Sequence, residues 1–217
     1  GGITATSNVE AAKHYNIPVS GTMAHCFVMR EESEITAFKK YIKSFPEKAS
    51  VLIDTYDTIQ GVKNAIQAAK EVGVELKSVR LDSGDLAYLA KEVRKILDAN
   101  NCRTTKITAS NDLDEYTIQS LILEQKAPID IFGVGTMLAT SFDQPALGGV
   151  YKLKKTERRD VIKVSELAIK TTIPGATDVI RLVDKNNLFA GDIICQNGHK
   201  FLNAHSLTEN ITSVHLD

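Results

Sequence analysis

Val79-Arg-Leu-Asp-Ser-Gly-Asp85 sets an arginine and an aspartate two positions apart, which on a strand puts both side chains on one face. Two readings of Arg80 and Asp82 stay open: an internal ion pair, or a guanidinium that receives an anionic ligand beside a carboxylate that grips ribose hydroxyls. Ser83 and Gly84 open the next turn, and Asp85 is placed to cap a helix. In Ile131-Phe-Gly-Val-Gly-Thr136 an apolar pair runs into glycines at 133 and 135, where backbone N–H groups can approach and cradle a phosphate, with Thr136 beside them. Ser110-Asn-Asp112 adds a hydroxyl and an amide at another turn, so Ser110, Asn111, Asp112, Gly133, Gly135 and Thr136 together suit a phosphosugar. Thr22, His25, Asp54, Thr55 and Asp57 complete a series of small polar groups, each following a short apolar run.

What must position these groups is a repeated strand-helix unit. Short β-branched runs occur at Ile17 to Ser20, Val51 to Asp54, Ser78 to Leu81, Lys106 to Ser110 and Ile129 to Phe132. Between them Ile59, Val62, Ala65, Ile66 and Ala69 recur at helical spacing, as do Leu86, Leu89, Val93 and Leu97. Asn8 is placed to cap the first helix, and Asp112 to head another with Glu115 at the capping-box distance. Such units imply parallel strands in either an open doubly wound sheet or a β/α barrel. With no Gly-x-Gly-x-x-Gly after the first strand, the barrel is favoured, and in barrels the reactive side chains lie just past the strands' C-terminal ends. After Gly149 the rhythm changes. Val150 to Lys154 and Asp160 to Val164 read as one hairpin around the basic Lys155 to Arg159, and Asp178 to Val183 with Leu188 to Ile194 as another. Residues 1–148 are therefore read as a barrel portion carrying the rim, and 149–217 as a β-rich segment.

Of 217 residues, 43% are hydrophobic and 24% charged, enough for a core without disulfide staples. No apolar run approaches the roughly 20 residues that span a bilayer, so no membrane partner is expected. A net charge of -1 gives no global positive field for nucleic acid. Cys26, Cys102 and Cys195 form no CxxC pair, fit a reducing, cytoplasmic setting, and read as small buried hydrophobes. His14, His25, His199, His205 and His215 lack metal-ligand spacing; the carboxylates better suit magnesium delivered by a polyphosphate. No Gly-x-Ser-x-Gly elbow occurs. The opening Gly-Gly-Ile-Thr-Ala reads like the middle of a protein, and the expectation is a fragment or processed product.

In order, Gly21-Thr-Met-Ala-His25, Asp54-Thr-Tyr-Asp57, Arg80-Leu-Asp-Ser-Gly-Asp85, Ser110-Asn-Asp112, Phe132-Gly-Val-Gly-Thr136 and Pro145-Ala-Leu-Gly-Gly-Val-Tyr-Lys152 resemble the nicotinate phosphoribosyltransferase family, from Gly1 to about Arg181. Lys163-Val-Ser165 and Pro174-Gly175 add to the match. The resemblance implies an irregular, TIM-like β/α barrel of the type II phosphoribosyltransferases. It also implies transfer from 5-phosphoribosyl-1-pyrophosphate to nicotinate, coupled to ATP hydrolysis through a phosphohistidine with Mg2+, in a homodimer. On that resemblance His25 is the phosphorylated residue, Arg80 lies near the nicotinate, Asp82 holds ribose, and Ser110, Asn111, Gly133, Gly135 and Thr136 bind the 5-phosphate. Family members carry an upstream part that does not precede Gly1 here, so the chain alone is expected to be weakly active or inactive. Competing expectations are a nicotinamide phosphoribosyltransferase, another phosphosugar enzyme, whose strand-end Lys or Glu base is missing, and a phosphosugar-binding fragment without turnover.

Overall fold

The computed structural model describes residues 2–140, 144, 147, 149–164 and 171–197, and the backbone of 211–216. Pro145, Ala146, Gly148, Ser165, His199 and His205 lie outside the described residues, as does the side chain of His215. The chain divides into two compact units, Gly1–Tyr151 with Lys163–Thr171, and Lys152–Ile162 with Thr172–Asp217.

In the first unit, helices α1 (Val9–Tyr15), α2 (His25–Arg30) and α3 (Glu34–Ser44) precede a sheet of four parallel strands. The strands are β1 (Ser50–Leu52), β2 (Ser78–Leu81), β3 (Lys106–Ala109) and β4 (Ile131–Phe132), in the order β1-β2-β3-β4. Val51 pairs with Val79 and Val79 with Ile107, and all three are fully buried, as expected of a parallel sheet covered by helices. The crossovers are α4 (Thr58–Val72), α5 (Leu86–Ala99) and α6 (Glu115–Gln119), the last continuing into a π-turn over Ser120–Glu124; α7 (Thr136–Ala139) follows β4. Val62, Ala65, Ile66 and Ala69 of α4, and Leu86, Leu89, Val93 and Leu97 of α5, make the buried stripes that their spacing predicts. The fold is thus α/β with a parallel sheet, and the described strands do not close into a barrel.

Three local expectations are corrected. Ile17 to Ser20 makes only one parallel bridge, Thr6 N donating to Pro18 O at 3.0 Å and Ser20 N to Thr6 O at 3.0 Å. Pro18 has no N–H to extend it. Asn8 and Asp85 do cap α1 and α5, through Ala11 N at 2.9 Å and Tyr88 N at 3.0 Å, but α6 is capped by Asp114, which accepts from Thr117 N at 2.7 Å. Asn111 and Asp112 instead turn the chain with φ of 100° and 47°, a region that Asn and Asp tolerate, and buried Leu113 anchors the turn. Finally, Cys26 is exposed and Cys102 and Cys195 are half-buried, so none is a core residue; all three are free thiols.

In the second unit β5 (Thr177–Asp184), β6 (Phe189–Gln196) and β7 (Ile211–Leu216) form an antiparallel sheet in the order β6-β5-β7. The β5-β6 turn is held by Asp184, whose Oδ1 accepts from Asn186 N at 2.8 Å and Leu188 N at 2.9 Å. Arg181 reaches across to Asp192 with two bonds of 3.0 and 3.1 Å. The expected hairpin over 150–164 shrinks to a tight turn without strands, with Thr156 N donating to Arg159 O at 2.8 Å and Val161 N to Lys154 O at 2.9 Å. Among the described residues no helix is long and apolar enough to cross a membrane.

Gly61 shows how closely α4 lies on the sheet. A Cβ built there would stand 2.0 Å from the carbonyl oxygen of Ile53, a backbone atom that cannot rotate away. Alanine favours a helix interior over glycine by about 1 kcal/mol, whereas overpacking typically costs about 1–3 kcal/mol. The clash should win. Gly61→Ala is expected to destabilise the chain by about 2 kcal/mol or more in urea denaturation; a neutral or stabilising result would mean that α4 sits further from Ile53.

Candidate active site

Parallel pairing runs one step past each strand. Ile53 N donates to Arg80 O at 3.1 Å, Ser110 N to Leu81 O at 2.9 Å and Gly133 N to Ala109 O at 2.8 Å. These bonds bring Asp54, Asp82, Ser110 and Gly133 together at the C-terminal rim, where parallel α/β sheets place their chemistry.

At its centre the Asp54 side chain, 1% exposed, accepts through Oδ2 from Asp82 N at 3.1 Å and from the Ser83 hydroxyl, while Oδ1 has no hydrogen-bond partner. His25 is the first residue of α2 rather than of a strand end, and its side chain is 17% exposed. Its Nδ1 lies 3.1 Å from Thr55 Oγ1. Nε2 lies 3.8 Å from Asp54 Oδ1 and 3.6 Å from Asp82 Oδ2, ion-pair rather than hydrogen-bond separations, and has no hydrogen-bond partner among the described residues. A histidine that merely filled the core would have both nitrogens satisfied.

Arg80 is held by three neighbours. Nε donates to Ser110 Oγ at 3.0 Å, Nη1 to Thr22 Oγ1 at 2.6 Å and Nη2 to Asp82 Oδ1 at 3.2 Å. The internal ion pair therefore forms, and with the bonds to Ser110 and Thr22 it occupies three of the five guanidinium N–H groups, leaving two for a ligand. Burial works against an ionised Asp82, but His25, the Ser110 hydroxyl and Arg80 together outweigh it and hold the carboxyl well below the usual range.

The remaining expected positions are more dispersed. Asp57 caps α4, accepting from Gln60 N at 2.6 Å, and Gly84 turns the chain with φ of 76°. The Gly133 amide donates to Ala109 O at 2.8 Å, and a Cβ there would meet Ser110 Cβ at 3.4 Å, an ordinary contact distance, so the β4 end lies beside Ser110. Gly135 precedes Thr136, the first residue of α7, and no described residue would come within 4 Å of a Cβ there. Among the described residues no cluster of three or more His, Cys, Asp or Glu could hold a metal ion.

The pattern of the nicotinate phosphoribosyltransferase family matches residues 2–190. The chain belongs to that family. A nicotinate phosphoribosyltransferase of Bacillus subtilis is 50% identical over 194 residues, covering 86% of this chain and 39% of its own length. Another, of Mycobacterium tuberculosis, is 41% identical over 199 residues, covering 91% of this chain and 42% of its own. The chain thus spans about two fifths of these family members. Among solved structures, the nicotinate phosphoribosyltransferase of Porphyromonas gingivalis superposes with a TM-score of 0.61 at 25% identity, over 78% of this chain and 48% of that one. Nicotinate-nucleotide pyrophosphorylase of Pyrococcus furiosus has the same fold, with a TM-score of 0.54 at 20% identity.

Sequence reasoning missed one ionisable neighbour of this rim. Glu34, 8% exposed, lies on the buried stripe of α3 with Ala37, Phe38 and Ile42. Its Oε2 accepts from Asn64 Nδ2 of α4 at 2.7 Å and its Oε1 has no partner. An acid in an apolar helical stripe was the available signal. Burial, opposed by the Asn64 bond and helped by the charges of Asp57 and Asp54, pushes its carboxyl from 4.5 to about 7. The folded state thus holds this proton more tightly than the unfolded chain, and stability falls as pH rises between about 4.5 and about 7. Glu34→Gln should flatten that segment of the stability-pH curve, removing a change on the order of 3 kcal/mol at most across the window. Parallel curves for the two proteins in denaturant titrations would count against the buried acid.

Proposed function

We propose that the protein carrying this rim transfers phosphoribosyl from 5-phosphoribosyl-1-pyrophosphate to nicotinate, releasing pyrophosphate and nicotinate mononucleotide on a salvage route to NAD, with ATP hydrolysis coupled through a phosphorylated His25. The observation that carries this is a histidine nitrogen without a hydrogen-bond partner, set between two carboxylates and beside an arginine with two uncommitted N–H groups. Family membership supports the substrate pair. Because the chain spans about two fifths of its relatives, the activity is assigned to the protein that contains it.

In this reading Arg80 faces the nicotinate carboxylate, and its bonds to Thr22, Ser110 and Asp82 fix the fork before substrate arrives. Breaking the bond from ribose C1 to pyrophosphate builds positive charge on the sugar. Asp82, held ionised, sits where it can grip ribose and favour that charge, and Asp54 and Ser83 keep its backbone in place. Ser110, Asn111 and the turn of Gly133, Gly135 and Thr136 receive the 5-phosphate. Magnesium enters with the polyphosphate as part of the substrate, near the unpartnered Oδ1 of Asp54. Phosphorylation of His25 requires the Asp82 side chain, 28% exposed, to move off Nε2, while Asp54 stays in place. The four parallel strands in sequential order, rather than with the reversal of a doubly wound sheet, favour a sector of an irregular, TIM-like barrel. The family resemblance adds a homodimer and a cytoplasmic setting.

Two measurements test the proposal. Product chromatography should find turnover with nicotinate well above that with nicotinamide; a preference for the amide would reassign the substrate, and binding without product would leave only a phosphosugar-binding protein. His25→Ala should keep the fold by circular dichroism and lose ATP stimulation of turnover, and retained stimulation would remove the phosphohistidine from the scheme.

A further inference from the structure

Phosphoryl transfer to a histidine requires a lone pair on the attacking nitrogen, so the ring proton must reside on the other one. In His25 the two nitrogens face different surroundings. Nε2 points at Asp54 Oδ1 and Asp82 Oδ2 across 3.8 and 3.6 Å. Two carboxylates draw a proton toward Nε2, but both separations exceed a hydrogen bond, so a proton there gains no hydrogen bond from them. A proton on Nδ1, by contrast, has an acceptor within reach. Nδ1 makes the ring's one hydrogen bond, at 3.1 Å, to the hydroxyl of Thr55, a residue with 0% exposure.

We propose that Thr55 is a positioning residue that accepts a hydrogen bond from Nδ1–H of His25 and thereby holds the tautomer whose Nε2 is free to react. The second partner of a histidine ring commonly selects its tautomer and orientation. Thr55 suits the task because it is rigid: it lies between the end of β1 and the cap of α4, beside Asp54, whose Oδ2 is fixed by Asp82 N and Ser83. Its β-branched side chain also has few rotamers to choose from.

The inference rests on the phosphohistidine proposed above. In that step the Nε2 lone pair forms the N–P bond to the γ-phosphorus of ATP while the bond from that phosphorus to its bridging oxygen breaks, and ADP leaves with the electron pair. The proton stays on Nδ1, donated to Thr55, and the ring carries one positive charge until the phosphoryl group departs. No proton need cross the ring.

The deciding experiment is a long-range proton-nitrogen NMR correlation of the histidine rings in the nitrogen-15-labelled protein, with His25→Gln to assign the His25 signals. The wild type should carry its neutral-form proton on Nδ1, Thr55→Val should shift it toward Nε2, and Thr55→Ser should restore the Nδ1–H form. ATP-coupled turnover should fall about 10–100-fold in Thr55→Val and recover in Thr55→Ser. A wild-type ring protonated on Nε2 would overturn the inference, as would Thr55→Val with an unchanged tautomer; the wild-type spectrum decides even if the valine variant fails to fold. The NMR result stands apart from catalysis, so loss of the phosphohistidine scheme through His25→Ala would be recognised separately.

Discussion

The Asp54 carboxylate is the constraint on which the rim depends. It is almost wholly buried and ionisable, and one of its oxygens is used up binding the backbone and hydroxyl of the β2 turn. A buried carboxylate is costly unless hydrogen-bonded, so the β2 turn has to curl toward Asp54. That curl sets Asp82 beside Arg80, and the other oxygen of Asp54 faces His25. The start of α2 and the ends of the paired strands β1 and β2 thus converge on one side chain.

Hydrogen-bond supply explains how the same few residues can be both structural and reactive. Thr22, Ser110 and Asp82 each satisfy a different N–H of Arg80, so the fork is oriented without being exhausted. Ser110 accepts from Arg80 and donates to Asp82, which lowers the proton affinity of that carboxyl. The groups left over, Asp54 Oδ1, His25 Nε2 and two guanidinium N–H groups, lie on the same rim. Mutual satisfaction inside the network selects which atoms remain available.

Much of this was legible in the sequence where periodicity and burial agree. The stripe of α5, the four strands from Val51 onward and the caps Asn8 and Asp85 follow from apolar spacing and from side chains that bond their own helix start. What failed was local. Ile17 to Ser20 has the composition of a strand, yet composition cannot supply the partner that Pro18 forgoes; Asp112 has the type of a cap, yet the left-handed turn at Asn111 moves the helix start to Asp114. At the site, Arg80, Asp82, Ser110 and His25 were recognisable as polar groups after apolar runs, whereas the bond from Gly133 N to Ala109 O, which continues the sheet past β4, follows from strand pairing that the local sequence does not encode. Thr55 and Glu34 gain their meaning only from partners 30 residues away in each case, His25 and Asn64, a pairing that no local pattern encodes.

The contact between Gly61 and the Ile53 carbonyl has a further consequence. It pins the first turn of α4 against the residue that precedes Asp54, so the segment from Asp54 to Asp57 is a span fastened at both ends. Its length is therefore a fixed quantity of the architecture: adding or deleting a residue there would have to displace either the helix or the carboxylate. That makes Asp54-Thr-Tyr-Asp57 the rim's ruler.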